Sequence, residues 1–320
     1  MSFVAIVDDM LPNALLLKSY MKQIEGLESL TFTDPEAALA QCSATAPDLV
    51  LLDYHMPQMN GVEFVTRFRS IAHLKDIPIV MITGEEKKEA LYEALQAGAN
   101  DFLRKPVDAV ELITRARNLL ELRARQRDLA AANGQLYVLA TTDQLTGLKN
   151  RRYFIERLEI EVERTRRHHQ KCAVAILDAD HFKSVNDTHG HDAGDKVLQT
   201  LASLLVGDLR AIDLVGRIGG EEFALLLPET TPNDALDVCH RILARIRGAK
   251  VPIEGGEIEF SASIGLTGIS DVRDEADAVL KRADQALYRA KAGGRNRCEV
   301  AGFLSAASGT DLVGMGRRAA

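Results

Sequence analysis

The strongest constraint on the fold is an alternation within the first 117 residues. Short apolar runs lie at Phe3–Val7, Leu49–Leu52, Ile77–Ile82 and Phe102–Leu103, with a weaker one near Leu30–Phe32. Longer amphipathic stretches separate them, at Asn13–Gln23, Pro35–Ser43, Gly61–Ile71 and Lys87–Ala97. Runs this short and uniformly apolar read as strands covered on both faces. Strands alternating with helices imply a parallel sheet, because a parallel pair needs a crossover long enough to hold a helix. Five strands in this length suit a flavodoxin-like, doubly wound α/β domain. Such a domain carries its site at the carboxyl ends of its strands.

Chemistry-bearing residues fall at those ends. Asp8 and Asp9 close the first run, Asp53 the third (LVLLDYHMP) and Thr83 the fourth (IVMITG), while Lys105 follows the fifth (DFLRKP). An aspartate at a strand end is commonly only a turn former. Three carboxylates on one sheet edge, however, repel each other unless a hard cation joins them, and Mg²⁺ prefers such ligands. A lysine and a hydroxyl beside them can receive the oxygens of a phosphoryl group on Asp53. Pro106 suits a loop fixed by a cis bond.

Taken together, residues 1–117 resemble a response-regulator receiver domain. The resemblance implies that Asp53 accepts phosphate from a histidine kinase or a phosphotransfer protein. Asp9, Asp53 and the backbone carbonyl of His55 would bind one Mg²⁺, with Asp8 assisting. Thr83 and Lys105 would sense the phosphoryl group, and Phe102 stands where the family has its switch aromatic. No key position departs from the pattern.

Residues 112–140 read as one helix joining two domains. Leu112, Leu119, Leu122, Leu129, Leu136 and Ala140 follow heptad spacing, which puts Gln126 and Asn133 at a positions. Polar a residues weaken a coiled coil but fix its register and oligomer state. The expectation is a coiled-coil linker over 118–140. The plainer alternative is a solvated helix with a few leucines, and Gly134 favours it.

A second α/β domain begins near 141. Apolar runs at Ala173–Leu177, Phe223–Leu227 and Ile258–Ile264 alternate with helical stretches at Arg152–His168, Ala193–Asp208, Asn233–Arg247 and Ala276–Ala292. From 301 to 320 the chain is Gly/Ala/Ser-rich and weakly periodic, and a frayed tail is expected. Two segments carry the chemistry. AVAILDADHFKSVNDTHGHDAGD (173–195) runs from an apolar strand into Asp178 and Asp180, and RIGGEEFALLL (217–227) puts Gly219 and Gly220 at a tight turn before Glu221 and Glu222. Carboxylates at a strand end and on a hairpin can share metal ions, which suits phosphoryl or nucleotidyl transfer. Alone, GGEEF could be a turn followed by solvated acids.

With TTDQLTGLKNRRYF (141–154) ahead of it, the set resembles the GGDEF domain of diguanylate cyclases over 141–300, a palm-like α/β domain. The resemblance implies that Asp178, Glu221 and the backbone carbonyl of Ala179 bind two Mg²⁺. Glu222 would support the metals or assist deprotonation. Backbone amides around Phe182 and Lys183 would cradle phosphates beside Gly219 and Gly220, and Lys291 and Arg295 would reach them too. Asn186 and Asp195 would hydrogen-bond guanine, and Asp195 argues against relaxed purine choice. Two GTP would be joined into cyclic di-GMP with release of two pyrophosphates, one GTP being held by each half of a homodimer. Arg210 and Asp213, nine residues ahead of the glycine pair, fall where the family has a product-inhibition site. Arg241 and Arg164 are placed to complete it. An exposed helix-end salt bridge is the simpler reading of these four. His189 and His191 read as helix-start or loop residues, and His168 and His169 as a solvated helix end, rather than as metal ligands.

Composition bounds the rest. The chain has 46% hydrophobic and 27% charged residues with 23 Gly and 9 Pro, which excludes a collagenous or wholly disordered chain. Net charge is −7, with 17 acidic against 11 basic residues in 1–117 and 29 against 28 beyond. Neither half offers a basic footprint for DNA. No apolar run approaches a membrane span and no leader segment is evident, so a cytoplasmic protein is expected. Cys42, Cys172, Cys239 and Cys298 are dispersed, which suggests reduced thiols. The reading is a phosphorylation-controlled diguanylate cyclase. Its rivals are a silent cyclic di-GMP receptor, a phosphate-accepting scaffold, and a cyclase of mixed purine dinucleotides.

Overall fold

The computed structural model describes residues 2–57, 59–84, 88–168, 170–254, 256–269 and 274–301. His169 and the expected tail from 302 onward lie outside them. The chain divides into two units, Met1–Gly134 and Gln135–Ala320.

The first unit runs β1 (Ser2–Val7), α1 (Leu11–Met21), β2 (Leu27–Phe32), α2 (Pro35–Ala44), β3 (Leu49–Asp53), α3 (Gly61–Ser70), β4 (Ile79–Thr83), α4 (Lys88–Ala97), β5 (Asp101–Arg104) and α5 (Ala109–Thr141). Its five strands are parallel, in the order β2-β1-β3-β4-β5. Side chains alternate across a strand, so the sheet feeds two cores. Ala5, Val7, Val50 and Leu52 pack with Phe64 and Phe68 of α3. Val4, Ile6, Leu49 and Leu51 pack with Leu17 of α1 and Leu112 and Ala116 of α5. Each fully buried side chain of this size contributes about 1.5–3 kcal/mol. Caps fix where helices start: Asp34 accepts from the Glu36 amide and Asn60 from the Glu63 amide, each contributing about 1 kcal/mol.

Helix α5 has 33 residues, but only Leu112 and Ala116 are buried. Leu122, Leu129 and Leu136 are 54%, 63% and 61% exposed. An apolar stripe this open on a helix gains little from propensity alone and calls for packing. Among the described residues no helix is long and apolar enough to cross a membrane.

The second unit runs β6 (Lys149–Asn150), α6 (Arg151–His168), β7 (Cys172–Ala179), α7 (Phe182–His189), α8 (His191–Val206), β8 (Leu214–Arg217), β9 (Glu222–Pro228), α9 (Pro232–Arg247), β10 (Lys250–Ile253), β11 (Gly256–Glu259), β12 (Ala262–Ile269), α10 (Ala276–Ala292) and β13 (Cys298–Val300). Six strands form one sheet, β13-β12-β7-β9-β8-β6. Its centre is antiparallel and its two edge pairings are parallel. Ala173, Ala175 and Leu177 face a core with Leu198 of α8 and Ile242 of α9. Val174 packs with Phe154 of α6, and Ile176 with Ala283 and Leu287 of α10. A Cβ at Gly265 would strike the α10 backbone at Ala283 and Leu287, so glycine lets that helix sit directly on the sheet.

One expectation needs correction. The run Ile258–Ile264 is not one strand. It breaks at Phe260–Ser261 into β11, paired with β10, and β12 in the main sheet. His191 begins α8, in keeping with a helix start, while His189 ends α7, and Gly190 makes the turn between with φ 82°. That positive φ is why the joint can be one residue long. The cysteines are all free, but Cys239 and Cys298 meet in one core, where the Cys298 thiol and burial together push the Cys239 thiol well up.

Candidate functional sites

In the first unit, the carboxyl ends of β1, β3, β4 and β5 bring the expected residues to one edge. Asp8, Asp9 and Asp53 each offer a carboxylate oxygen within 4.8 Å of the others. Asp8 is fully buried and accepts from the Met10 amide at 2.9 Å, which aims it from the strand end. Lys105 Nζ lies 2.7 Å from Asp53 Oδ1 and 3.4 Å from Asp8 Oδ2. Burial pushes the Asp53 carboxyl up and Asp8 adds to that, while the Lys105 ammonium pulls it down. Burial also works against the Lys105 charge, but Asp53 and Asp8 outweigh it and the net shift is upward. Three clustered carboxylates under one ammonium are a donor set for a hard divalent cation. Thr83 is fully buried at the end of β4. Phe102 is partly buried on β5, against the α3-side core, and Lys105–Pro106 is cis.

In the second unit, β7 and β9 are antiparallel with Asp178 opposite Glu222. Alternation therefore puts both side chains on one face of the sheet. Asp178 is 4% exposed, and Lys291 Nζ, at the end of α10, lies 2.8 Å from its Oδ2. Burial pushes Asp178 up, Lys291 pulls it down, and Asp180 raises it further. Glu221 is raised by burial and then by Asp178. The Ala179 amide donates to the Glu221 carbonyl at 3.2 Å, which locks the strand end to the hairpin. Two adjacent carboxylates that repel each other fit a divalent cation, with the carbonyl of Ala179 available beside them.

The hairpin itself is clamped. Ile218 and Gly219 amides donate to the Glu222 carbonyl. Arg217 Nε and Nη2 donate to the Gly220 carbonyl at 3.1 and 2.7 Å, and its Nη1 reaches Asp143 at 3.1 Å. A Cβ at Gly219 would run into the Glu222 carboxylate.

Phe182 is buried and Lys183 exposed at the start of α7, where unpaired first-turn amides suit phosphate. Asn186 sits over the Gly194 backbone, where a Cβ would collide with its Oδ1. That contact brings Asn186 on α7 close to Asp195, the next residue of α8. Arg295 and Asn296 follow α10 with φ 61° and 49°, a left-handed conformation that costs non-glycine residues energy.

Asp213 Oδ2 accepts from the Arg210 amide at 2.8 Å, while its buried Oδ1 has no hydrogen-bond partner among the described residues. Arg241 reaches the same turn through Asp208, at 3.7 Å. Arg164 is instead engaged with Glu161 and Glu229 at 3.7 and 3.5 Å. The structure thus ties Arg210 to Asp213 and Arg241 to Asp208, and gives Arg164 partners of its own.

Asp143 and Arg217 lay inside quoted motifs but carried no assigned role, and neither did the buried Asp180. For Asp143 and Arg217 the signal was opposite charge in two motifs. Nothing in spacing pairs them across 74 positions.

Against known proteins, residues 4–117 match the response regulator receiver domain and residues 140–297 the diguanylate cyclase GGDEF domain. The chain therefore carries a receiver domain followed by a GGDEF domain. It is 37% identical over 268 residues to Response regulator PleD of Caulobacter vibrioides, covering 82% of this chain and 58% of that protein, so it spans little over half of this relative. Among solved structures, the coiled coil and GGDEF domain of DgcB from Caulobacter crescentus, in complex with c-di-GMP, superposes with TM-score 0.56 at 29% identity, covering 59% of this chain and 100% of that one. Diguanylate cyclase SiaD of Pseudomonas aeruginosa, in complex with its activator SiaC, gives TM-score 0.51 at 40% identity, covering 60% and 74%.

Proposed function

We propose that this chain is a diguanylate cyclase controlled by phosphorylation of its receiver. It joins two GTP into cyclic di-GMP and two pyrophosphates as a homodimer, and is inhibited by its product. The observation that carries the reading is the convergence of Asp178, Glu221 and Lys291 at the end of β7, beside a hairpin clamped by Arg217.

In this reading the 3′-oxygen of one GTP attacks the α-phosphorus of the other. The new O–P bond forms as the bond to pyrophosphate breaks, and the reciprocal attack closes the ring. The 3′-hydroxyl proton passes to one carboxylate of the Glu221–Glu222 pair. Lys291, Arg295 and the amides at Phe182 and Lys183 neutralise the departing pyrophosphate. Asn186 and Asp195 orient guanine, since a carboxylate accepts from the N1 and N2 donors. Two Mg²⁺, held by Asp178, Glu221 and the Ala179 carbonyl, would supply Lewis-acid charge at the α-phosphate. Each domain presents one such set, so two must face each other.

The receiver would take its phosphoryl group on Asp53 from a histidine kinase or phosphotransfer protein, with one Mg²⁺ on Asp9, Asp53 and the His55 carbonyl and Asp8 assisting. Thr83, Lys105 and Phe102 would read that state. The linker over 118–140 would carry it as a coiled coil, with Gln126 and Asn133 balancing two registers. Arg210, Asp213 and Arg241 would grip cyclic di-GMP, with Arg164 contributing once freed from its acids.

The test is GTP turnover with Mg²⁺, with and without beryllofluoride, identifying the nucleotide formed. Cyclic di-GMP made faster with beryllofluoride supports the whole reading. Tight cyclic di-GMP binding without any product would replace it with a silent receptor.

A further inference from the structure

Asp180 has no part in the chemistry above, yet it is 4% exposed and its carboxylate accepts three hydrogen bonds. Its Oδ1 accepts from Ser263 Oγ at 2.7 Å. Its Oδ2 accepts from Ser261 Oγ at 2.7 Å and from the Asn296 amide at 3.0 Å. Its own amide donates to the Ser261 carbonyl at 2.8 Å. One side chain therefore ties together the end of β7, the start of β12 and the loop between α10 and β13.

That loop needs an outside hold. Arg295 and Asn296 are consecutive non-glycine residues at φ 61° and 49°. Such residues persist only where surrounding contacts over-determine them. The Arg295 amide donates to the Ala290 carbonyl at 3.0 Å, which continues the end of α10. The Asn296 side chain accepts from Arg247 at 3.3 Å. The bond from the Asn296 amide to Asp180 is charge-assisted and partly buried, the stronger kind. Both Asp180 oxygens are taken by hydroxyl and amide donors, which is how a buried carboxylate is kept affordable. Meanwhile Asp178 lies two residues upstream on β7 and Lys291 and Arg295 lie on the segment Asp180 holds.

We propose that Asp180 is a positioning residue: through the Asn296 amide it fixes Arg295, and with it the phosphate-binding loop, at a set span from Asp178. The inference rests on the cyclase reading for its effect on GTP, but the holding of the loop is independent of that reading.

Two variants of the full chain separate its hydrogen bonds from its charge. In D180N the amide oxygen can still accept from Ser261 and Asn296, while the amide nitrogen donates to Ser263, whose hydroxyl oxygen accepts. In D180A the tie is cut. D180A is expected to raise the KM for GTP about tenfold and to change kcat far less, the size of one lost charge-assisted bond. D180N should stay within about threefold of the parent on both. Trypsin cleavage after Arg295 and Arg297 should quicken in D180A and not in D180N, whether or not the protein turns over GTP. Equal damage in both variants would assign Asp180 a role for its charge and overturn the proposal, as would parental KM and trypsin resistance in D180A. If D180A fails to fold, the S261A/S263A double variant takes its place, stripping two of the three donors while keeping the charge. With the carboxylate left on the Asn296 amide alone, it should show a smaller rise in KM and a smaller quickening of cleavage, and parental behaviour would count against the proposal. Parental protein that makes no product but shows the same contrast under trypsin would sink the cyclase reading and leave the loop anchor standing.

Discussion

Asp143 and Arg217 pair at 3.1 Å, and through that pair the segment just after α5 grips the turn that presents Glu221. The same guanidinium holds the Gly220 carbonyl, so the linker's exit and the hairpin share one anchor. Both side chains are mostly buried, at 15% and 23% exposure, where losing one partner strands the other. D143A is expected to lower kcat/KM about tenfold or more, with GTP-analogue binding much less changed. Burial pushes the Asp143 carboxyl up, but Thr146 and Arg217 outweigh it and hold it below its ordinary value. A depressed folded pKa stabilises above the unfolded value and is lost as pH falls through the folded one. Unfolding midpoints measured from pH 7 down to 3 should therefore fall less steeply for D143N than for the parent below about pH 4. Identical acid limbs would mean the pair contributes nothing.

In the receiver, Asp8, Asp9 and Asp53 carry mutual repulsion that Lys105 offsets at Asp8 and Asp53. A ligand bound only by the folded state stabilises it, by about 2.7 kcal/mol at a hundred times its Kd. Mg²⁺ is thus expected to raise the receiver's unfolding temperature, and D9N to cancel most of that rise. D53N should also abolish the response of turnover to beryllofluoride. A Mg²⁺ effect of parental size in D9N would remove Asp9 from the cation site.

Lys291 has the same relation to Asp178 as Lys105 has to Asp53, at 2.8 against 2.7 Å. Asp178 and Glu221 are both pushed up by burial, and both must be ionised to bind cations. The acid limb of kcat/KM should therefore lie above the ordinary carboxylate range. In K291M it should move higher still, because Lys291 pulls Asp178 down, and kcat/KM at neutral pH should fall by about tenfold or more. A limb that stays put in K291M would separate Lys291 from the titrating group.

Arg210 and Asp213 predict a different phenotype. Asp213 Oδ2 accepts from the Arg210 amide at 2.8 Å, so the two residues form one turn. R210A should leave initial rates near parental and weaken inhibition by added cyclic di-GMP about tenfold, as expected when a charged contact is lost. Unchanged inhibition would take this turn out of the regulatory scheme.

The degree to which the fold could be read from sequence follows from how local each signal is. The receiver sheet was legible because Val4–Val7 and Leu49–Leu52 are buried on both faces and read as unbroken apolar runs. Asp53, Thr83 and Lys105 then followed from strand ends. Helix α7 was missed because FKSVNDTH is polar on most positions, with Phe182 alone buried. The break at Phe260–Ser261 was missed because the cause is distant: Ser261 is bonded to Asp180, 81 positions away. Asp143–Arg217 and Cys239–Cys298 share that character, since only the folded sheet brings them together.

The linker offers the last test. Leu122, Leu129 and Leu136 recur every seven residues and stay more than half exposed. A heptad stripe of this kind is stabilised by a second helix inserting knobs into its holes. L122K/L129K is expected to shift the full chain toward monomer in sedimentation equilibrium. Its turnover should become second order in protein at concentrations where the parent is first order, because two GTP-loaded domains must then meet by diffusion. Single cysteines at Leu122, Gln126 and Leu129 report geometry once the partly exposed Cys298 is replaced by serine, since Cys42, Cys172 and Cys239 are buried. A register change on phosphorylation should alter which of these cross-links with beryllofluoride present. Unchanged cross-linking alongside activated turnover would mean the signal reaches the cyclase by another route than the linker's register.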